Sequence, residues 1–258
     1  MSDLLVLILS CDKYSDLWNA QDYLYNLYWP NSKFKRYILT DKKRDIEFKS
    51  FTLYATDDNY VMTQRLEFFL NKRNEDYIFI TLDDYFLCNK VDENVFEEVV
   101  SKMKKDNIGY VRLFKYPKCK NFYYDESFCA IKYDKNYDVN LYPGIWSRKL
   151  LLELAKTKSE IWNFEVGLTA KLFKLNIISL FYNGSPFRFI DGVRKGQLLP
   201  SANKFLIKFG FALDRKKMNL FKAIWLNLLF HIKEFMPKRI YKISKSIAKK
   251  LGARFYSE

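Results

Sequence analysis

Two nearly uninterrupted apolar runs, Leu4–Leu9 and Tyr77–Leu82, each end abruptly in polar residues and are separated by stretches with helical periodicity. Runs of this length read as strands buried on both faces, the mark of a sheet covered by helices rather than of a half-exposed one. After the first run, Ser10-Cys11-Asp12-Lys13-Tyr14 forms a loop, and Ser15 is placed to cap a helix to about Tyr28 that Trp29-Pro30 terminates. Phe34–Leu39 reads as a second strand ending at Thr40-Asp41, and Phe48–Tyr54 as a third. A helix is predicted over Val61–Lys72, with Met62, Leu66, Phe69 and Leu70 on one side. Beyond the second apolar run the pattern predicts a helix over 93–105, a strand over 108–114 and a loop-rich stretch 115–141 with a short strand at Phe128–Tyr133. Helices at 147–156 and 162–173 and a strand at Asn176–Phe181 follow. This alternation predicts an α/β fold with a mainly parallel sheet between helices.

The run Tyr77–Leu82 delivers Asp83-Asp84 directly from apolar surroundings, and Tyr85-Phe86-Leu87 follows at once. Two carboxylates there must be solvated, neutralised or given a cation. The carboxyl ends of strands are also where open α/β sheets bind ligands, so the pair marks a site for a polar ligand or a divalent metal, Mn or Mg. Several other chemistries are excluded by absence. No GxxxxGK[ST] or GxGxxG motif is present to cradle phosphates. A single histidine, His231, leaves neither a Ser-His-Asp device nor a zinc site for Cys11, Cys88, Cys119 and Cys129, which show no CxxC spacing. Cys11 and Cys88 lie in or beside apolar runs and read as small buried thiols in a reducing cytoplasm.

Several segments together resemble small bacterial glycosyltransferases of the GT-A fold that act in capsule and lipopolysaccharide O-antigen synthesis. They are Leu7–Trp18 (LILSCDKYSDLW), Tyr28-Trp29-Pro30, Gln64-Arg65-Leu66, Phe79–Leu87 (FITLDDYFL) and Trp162-Asn163-Phe164-Glu165. The resemblance covers roughly residues 4–200. It implies a GT-A-like, Rossmann-like sheet, a nucleotide-sugar donor such as a UDP-sugar and transfer to a glycan or lipid-linked glycan acceptor. It further implies that Cys11, Asp12, Tyr14 and Asp41 form the nucleoside pocket and that Arg65 reaches the diphosphate or sugar. Asp83-Asp84 stands where the family carries its acidic metal motif, with Tyr85 in the place of a further acid. Asp84 is then the principal metal ligand, and Asp83 faces ribose or sugar. Glu165, at a helix start, resembles the general base of inverting members, with Glu160 and Glu153 as the nearest substitutes. Tyr142–Arg148 resembles the acceptor loop, with Trp146 either presenting its ring to a sugar or buried in the core. Arg194 and Lys195, in Ile190–Gly196, are placed to close over the diphosphate.

The remaining 201–258 is different in kind. It holds 14 Lys and Arg against 3 Asp and Glu, a net of +11 out of +14 for the whole chain. Met218–Phe235 is helical in pattern and strongly apolar. After Pro237, Ile240, Ile243, Ile247 and Leu251 fall on one helical face among lysines. That profile predicts a basic amphipathic tail lying on an anionic membrane surface, hence a cytoplasmic protein peripheral to the inner face of the plasma membrane. Nucleic acid is the other polyanion such a tail suits, but no nucleic-acid module accompanies it. No stretch reaches the length of a membrane span. A nucleotidyltransferase on a similar sheet, or a polybasic adaptor with a degenerate transferase body, are the competing readings; the first would want a glycine-rich phosphate loop after the first strand, and Ser10–Tyr14 has no glycine.

Overall fold

The computed structural model describes residues 3–114, 123–133 and 137–235. Contacts divide the chain into two units, Met1–Asp191 and Gly192–Glu258. In the first, β1 (Leu4–Leu9) leads through a 3-10 turn (Asp12–Leu17) into α1 (Trp18–Tyr28), and β2 (Arg36–Thr40) and β3 (Thr52–Ala55) follow. Then come α2 (Met62–Leu70), β4 (Tyr77–Leu82), β5 (Tyr85–Leu87), α3 (Glu93–Lys105), β6 (Tyr110–Arg112), β7 (Phe128–Ala130) and β8 (Gly144–Ser147). The unit closes with α4 (Arg148–Ala155), α5 (Ile161–Lys174), β9 (Ser179–Tyr182) and β10 (Phe189–Asp191).

Eight strands form one sheet in the order β3-β2-β1-β4-β8-β6-β9-β7. Six of them, β3, β2, β1, β4, β6 and β9, point the same way, while β8 and β7 run against them. The expected α/β class with a mainly parallel sheet is therefore observed. Period-two alternation in β1 explains why its sequence is apolar throughout. Leu5, Leu7 and Leu9 pack with Leu66, Phe69, Leu151 and Leu168 of α2, α4 and α5 on one face. Leu4, Val6 and Ile8 pack with Trp18, Tyr25, Phe96 and Met103 of α1 and α3 on the other.

The topology fixes where a ligand can sit. From β1 the chain steps outward to β2 and β3 and then returns to place β4 on the other side of β1. In open α/β sheets, a reversal of this kind is where a crevice at the strands' carboxyl ends receives ligands. Register brings those ends level, since Leu9 is opposite Leu39 in β2 and Leu82 in β4. The residues that follow, Ser10, Thr40 and Asp83, therefore lie side by side on one edge.

The structure departs from the sequence expectations in specific ways. Ser15 caps nothing: the segment after Cys11 winds as a 3-10 turn, and Trp18 opens the α-helix. The third strand is shifted to Thr52–Ala55, because Asp22 accepts the backbone N–H groups of Lys49 and Ser50 and holds that stretch out of the sheet. Where the sequence pattern suggests only the approach to a helix, the chain forms β8. Its insertion antiparallel beside β6 requires Gly144, where a Cβ would stand 2.9 Å from both the Tyr110 ring and the Val111 carbonyl oxygen. Three-residue β5 and β10 pair antiparallel as a separate ribbon, too short to show periodicity.

The second unit contains β11 (Val193–Arg194), β12 (Gln197–Leu198), α6 (Pro200–Ile207) and α7 (Leu220–Phe235). Lys195 (φ 52°) and Gly196 (φ 73°) form the two-residue turn of the β11–β12 hairpin, both in the left-handed region that such turns use. Among the described residues no helix is long and apolar enough to cross a membrane. The amphipathic face expected over 240–251 lies outside the described residues.

Candidate active site

The β4–β5 turn carrying Asp83-Asp84 is held from beneath by α1. Gln21, fully buried, donates through Nε2 to the carbonyl oxygens of Asp83 (2.7 Å) and Tyr85 (3.0 Å), on either side of Asp84. Trp18 Nε1 donates to Ser10 Oγ (2.7 Å), and Ser10 donates in turn to Asp83 Oδ2 (2.5 Å). A hydroxyl has one proton to give, so the relay runs in one direction and ties the β1 loop to the end of β4. Asp83, buried, is thereby committed through one oxygen to positioning. The sequence pattern singles out neither Gln21 nor the relay. The signal it offers is a glutamine at i+3 from Trp18 and i−4 from Tyr25, on an otherwise apolar helix stripe.

Asp84 is in the opposite situation. Its Oδ1 is sealed from solvent with no hydrogen-bond partner. Burial, followed by the charges of Asp83, Asp191 and Glu165, holds its carboxyl well above the usual range. Asp191 arrives through the ribbon, where it pairs with Tyr85, the residue after Asp84. Tyr85 feels the same surroundings: burial first, then Tyr142, Asp84, Asp191 and Glu165 raise its phenol. Its ring meets those of Tyr142 (5.9 Å) and Phe189 (6.2 Å) edge-on. The result is a cluster of acids walled by aromatic rings. In the sequence Asp191 stands out only as a neighbour of the Arg194-Lys195 turn.

Glu165 belongs to this cluster, but it stands in the second turn of α5, which begins at Ile161 and has no acid in its first turn. The helix begins one residue before the expected 162, which leaves Glu165 just past the first turn, and stabilisation of the helix dipole does not account for this residue. Glu165 Oε1 accepts the Leu141 N–H at 3.0 Å, while burial raises the carboxyl above its ordinary range. Trp162, at i−3 on the same helix, is exposed. Trp146, open between acceptor side and core in the sequence, is fully buried against Tyr110 at 4.1 Å and serves the core. Tyr142 of the same loop does line the acidic cluster.

On the β2 side of the crevice, Asp41 Oδ1 accepts the backbone N–H of Asp12 (2.6 Å) and the hydroxyl of Thr40 (3.0 Å). Its Oδ2 faces Arg65 Nη1 at 3.8 Å, and Arg65 also donates to the Tyr60 carbonyl at 3.1 Å. Burial and the charges of Asp83 and Asp41 raise the Cys11 thiol, with Arg65 acting against them. Cys11, Asp41, Arg65 and Asp83 thus converge. Asp12 is held outside this group by Arg44, whose Nε lies 2.5 Å from Asp12 Oδ1. Tyr14 is half-buried in the 3-10 turn, its N–H bonded to the Cys11 carbonyl. Arg194 and Lys195 lie in the hairpin of the second unit. Cys11 and Cys88 are free and half-buried, whereas Cys129 is disulfide-bonded.

Whether these residues suit a divalent cation can be judged from their chemistry. Among the described residues no group of three or more His, Cys, Asp or Glu side chains is arranged to hold a metal ion. The partnerless Asp84 oxygen beside the charge of Asp191 nevertheless matches hard-cation chemistry, in which Mg and Mn take few protein carboxylates and fill the remainder from water and phosphate.

No family model matches the chain, and no curated protein sequence does. Solved structures share its fold. A CMP:2-keto-3-deoxy-manno-octonic acid synthetase complexed with CTP has a TM-score of 0.50 and 11% identity, covering 81% of this chain and 99% of that one. A cytidylyltransferase from Leptospira borgpetersenii has a TM-score of 0.46 and 12% identity, over 91% of this chain and 95% of that one. TarS 1–349 of S. aureus in complex with UDP has a TM-score of 0.48 and 10% identity, over 72% of this chain. The chain spans 36% and 59% of two further S. aureus TarS chains. At these identities the likeness, carried by the synthetase at a TM-score of 0.50, is one of fold alone: a mainly parallel sheet flanked by helices.

Proposed function

We propose that this chain is a glycosyltransferase that moves a sugar from a nucleoside-diphosphate donor, a UDP-sugar, to a bacterial surface glycan with inversion. The observation that carries the reading is the pairing, at one sheet edge, of an arginine-bearing crevice with a buried acidic cluster walled by aromatic rings. Cys11 and Asp41 bound the crevice where a nucleoside would lie, and Arg65 offers its guanidinium to diphosphate oxygens. Glu165, raised in pKa by burial and bonded through one oxygen to the Leu141 N–H, accepts the proton of the acceptor hydroxyl. The hydroxyl oxygen bonds to the anomeric carbon as the carbon–diphosphate bond breaks. Asp84 and Asp191 would hold Mn or Mg, which when bound would neutralise charge on the diphosphate.

A nucleotidyltransferase is the second reading, favoured by the match to the CTP-bound synthetase at a TM-score of 0.50. Against it, the loop after β1 has no glycine to let its backbone wrap a triphosphate and instead enters a 3-10 turn at Asp12. Incubation with a panel of nucleotide sugars, and separately with CTP and sugar acids, separates the two. Release of nucleoside diphosphate from a sugar donor that is lost in Glu165→Gln and Asp84→Asn supports the transferase. Pyrophosphate release from CTP, or donor turnover that survives both substitutions, overturns it.

A further inference from the structure

Among the described residues of the second unit, α7 displays an apolar face that their packing does not use. On α7, Phe221 is 81% exposed, and Leu220, Ile224, Trp225 and Leu228 are each between 48% and 59% exposed. At about 100° per residue, these five positions fall within one arc of about 140°. The root of the helix is held firmly: Met218 and Ala223 are buried, the Met218 N–H donates to the Leu198 carbonyl, and Asn219 Oδ1 caps the Phe221 N–H. The exposed arc is thus the outward side of an anchored helix rather than a frayed end. Soluble surfaces seldom present five large apolar side chains together unless something covers them.

The charge around the helix indicates what that is. Lys216, Lys217 and Lys222 flank its start and are exposed, and residues 201–258 carry a net charge of +11. A second copy would set that positive charge against itself, which disfavours self-association through this face. An anionic partner satisfies it. Trp and Phe at the level of lysines, on a face otherwise made of Leu and Ile, match the anisotropy of a lipid interface, with rings at the boundary and ammonium groups among the headgroups.

We infer that the outward face of α7 docks on an anionic lipid bilayer, inserting Phe221 and Trp225 while the flanking lysines meet the lipid headgroups. This assigns membrane contact to α7 itself rather than to the lysine-rich segment after Pro237, and it does not depend on the transferase reading. The test is co-sedimentation of the full chain with vesicles of phosphatidylglycerol and phosphatidylcholine, against vesicles of phosphatidylcholine alone. The wild type should partition at least tenfold more strongly onto the anionic vesicles. Phe221→Ser with Trp225→Ser should lower that partitioning at least tenfold without changing the unfolding temperature. Phe221→Ser alone, at the most exposed position, serves if the double variant does not fold. Bromine-labelled acyl chains should quench tryptophan emission in the wild type, and Trp225→Phe should remove most of that quenching. Equal vesicle binding by wild type and variant would show that charge alone holds the protein to lipid and would overturn the inference. So would absence of vesicle binding, whether the face instead supports a dimer seen by light scattering or captures an acidic protein.

Discussion

Replacing Gln21 by leucine tests the idea that α1 holds the Asp83-Asp84 turn in place. The side chain is fully buried, and its Nε2 donates to two carbonyl oxygens, those of Asp83 and Tyr85. Leucine is similar in size, so packing is largely kept and the loss is polar. The buried Asp83 bond, left unmade, costs about 1–3 kcal/mol, and the part-buried Tyr85 bond about 1 kcal/mol. Against this, Gln21 Oε1 is itself buried without a partner, and removing it returns about 1 kcal/mol. The net is a destabilisation of about 2 kcal/mol, or a fall in Tm of about 4–8 °C for a protein of this size. Because the two carbonyls bracket Asp84, affinity for a nucleoside diphosphate with Mn should fall as well, whereas a purely structural role elsewhere would leave it unchanged. Differential scanning fluorimetry with and without ligand reads both. A Tm within about 1 °C of wild type at unchanged nucleotide affinity would refute the reasoning.

Asp84→Asn should stabilise the metal-free protein while abolishing transfer. The folded Asp84 pKa is raised, so the stability of the native protein is lost as pH rises through that value. The asparagine variant should therefore gain Tm at pH 8 in chelator, by about 2–4 °C per kcal/mol relieved, and the gain should vanish as pH falls to the ordinary carboxylate range near 4. Glu165→Gln should lower kcat about 10²–10⁴-fold with donor affinity intact. It should also remove the acidic limb of the wild-type pH profile, which a raised carboxyl pKa displaces upward. Arg65→Lys keeps the charge but loses the fork, and should weaken diphosphate binding about tenfold, read by calorimetry.

The sheet was legible in the sequence because β1 and β4 are buried on both faces, and few folds other than a helix-covered sheet accommodate a run such as Leu4–Leu9 between polar loops. The position of Asp83-Asp84 at a strand's carboxyl end was legible for the same reason. How unequal the two acids are was not. Asp83 is committed to Ser10, a contact 73 residues distant in sequence, while Asp84 is left facing Asp191 across a ribbon of three-residue strands. Contacts of that range carry no local periodicity. The choice between core and acceptor side for Trp146 was open for a related reason. An indole between Ile145 and Ser147 has the same local context on a sugar-binding loop as on a strand, and only the insertion of β8 between β4 and β6 buries it. Glu165 is recognisable by its motif, and the helix around it begins within one residue of the expected 162.

The proposed mechanism rests on binding of a nucleoside diphosphate at the edge formed by Cys11, Asp41, Arg65 and Asp84. Isothermal titration of the wild type with UDP in the presence of Mn measures this directly, with Asp84→Asn and Arg65→Lys as paired variants. Binding should be saturable, should weaken in both variants and, for the wild type, should weaken on removal of Mn. Absence of binding by UDP and the other nucleoside diphosphates, or binding that neither substitution alters, would contradict the proposed site.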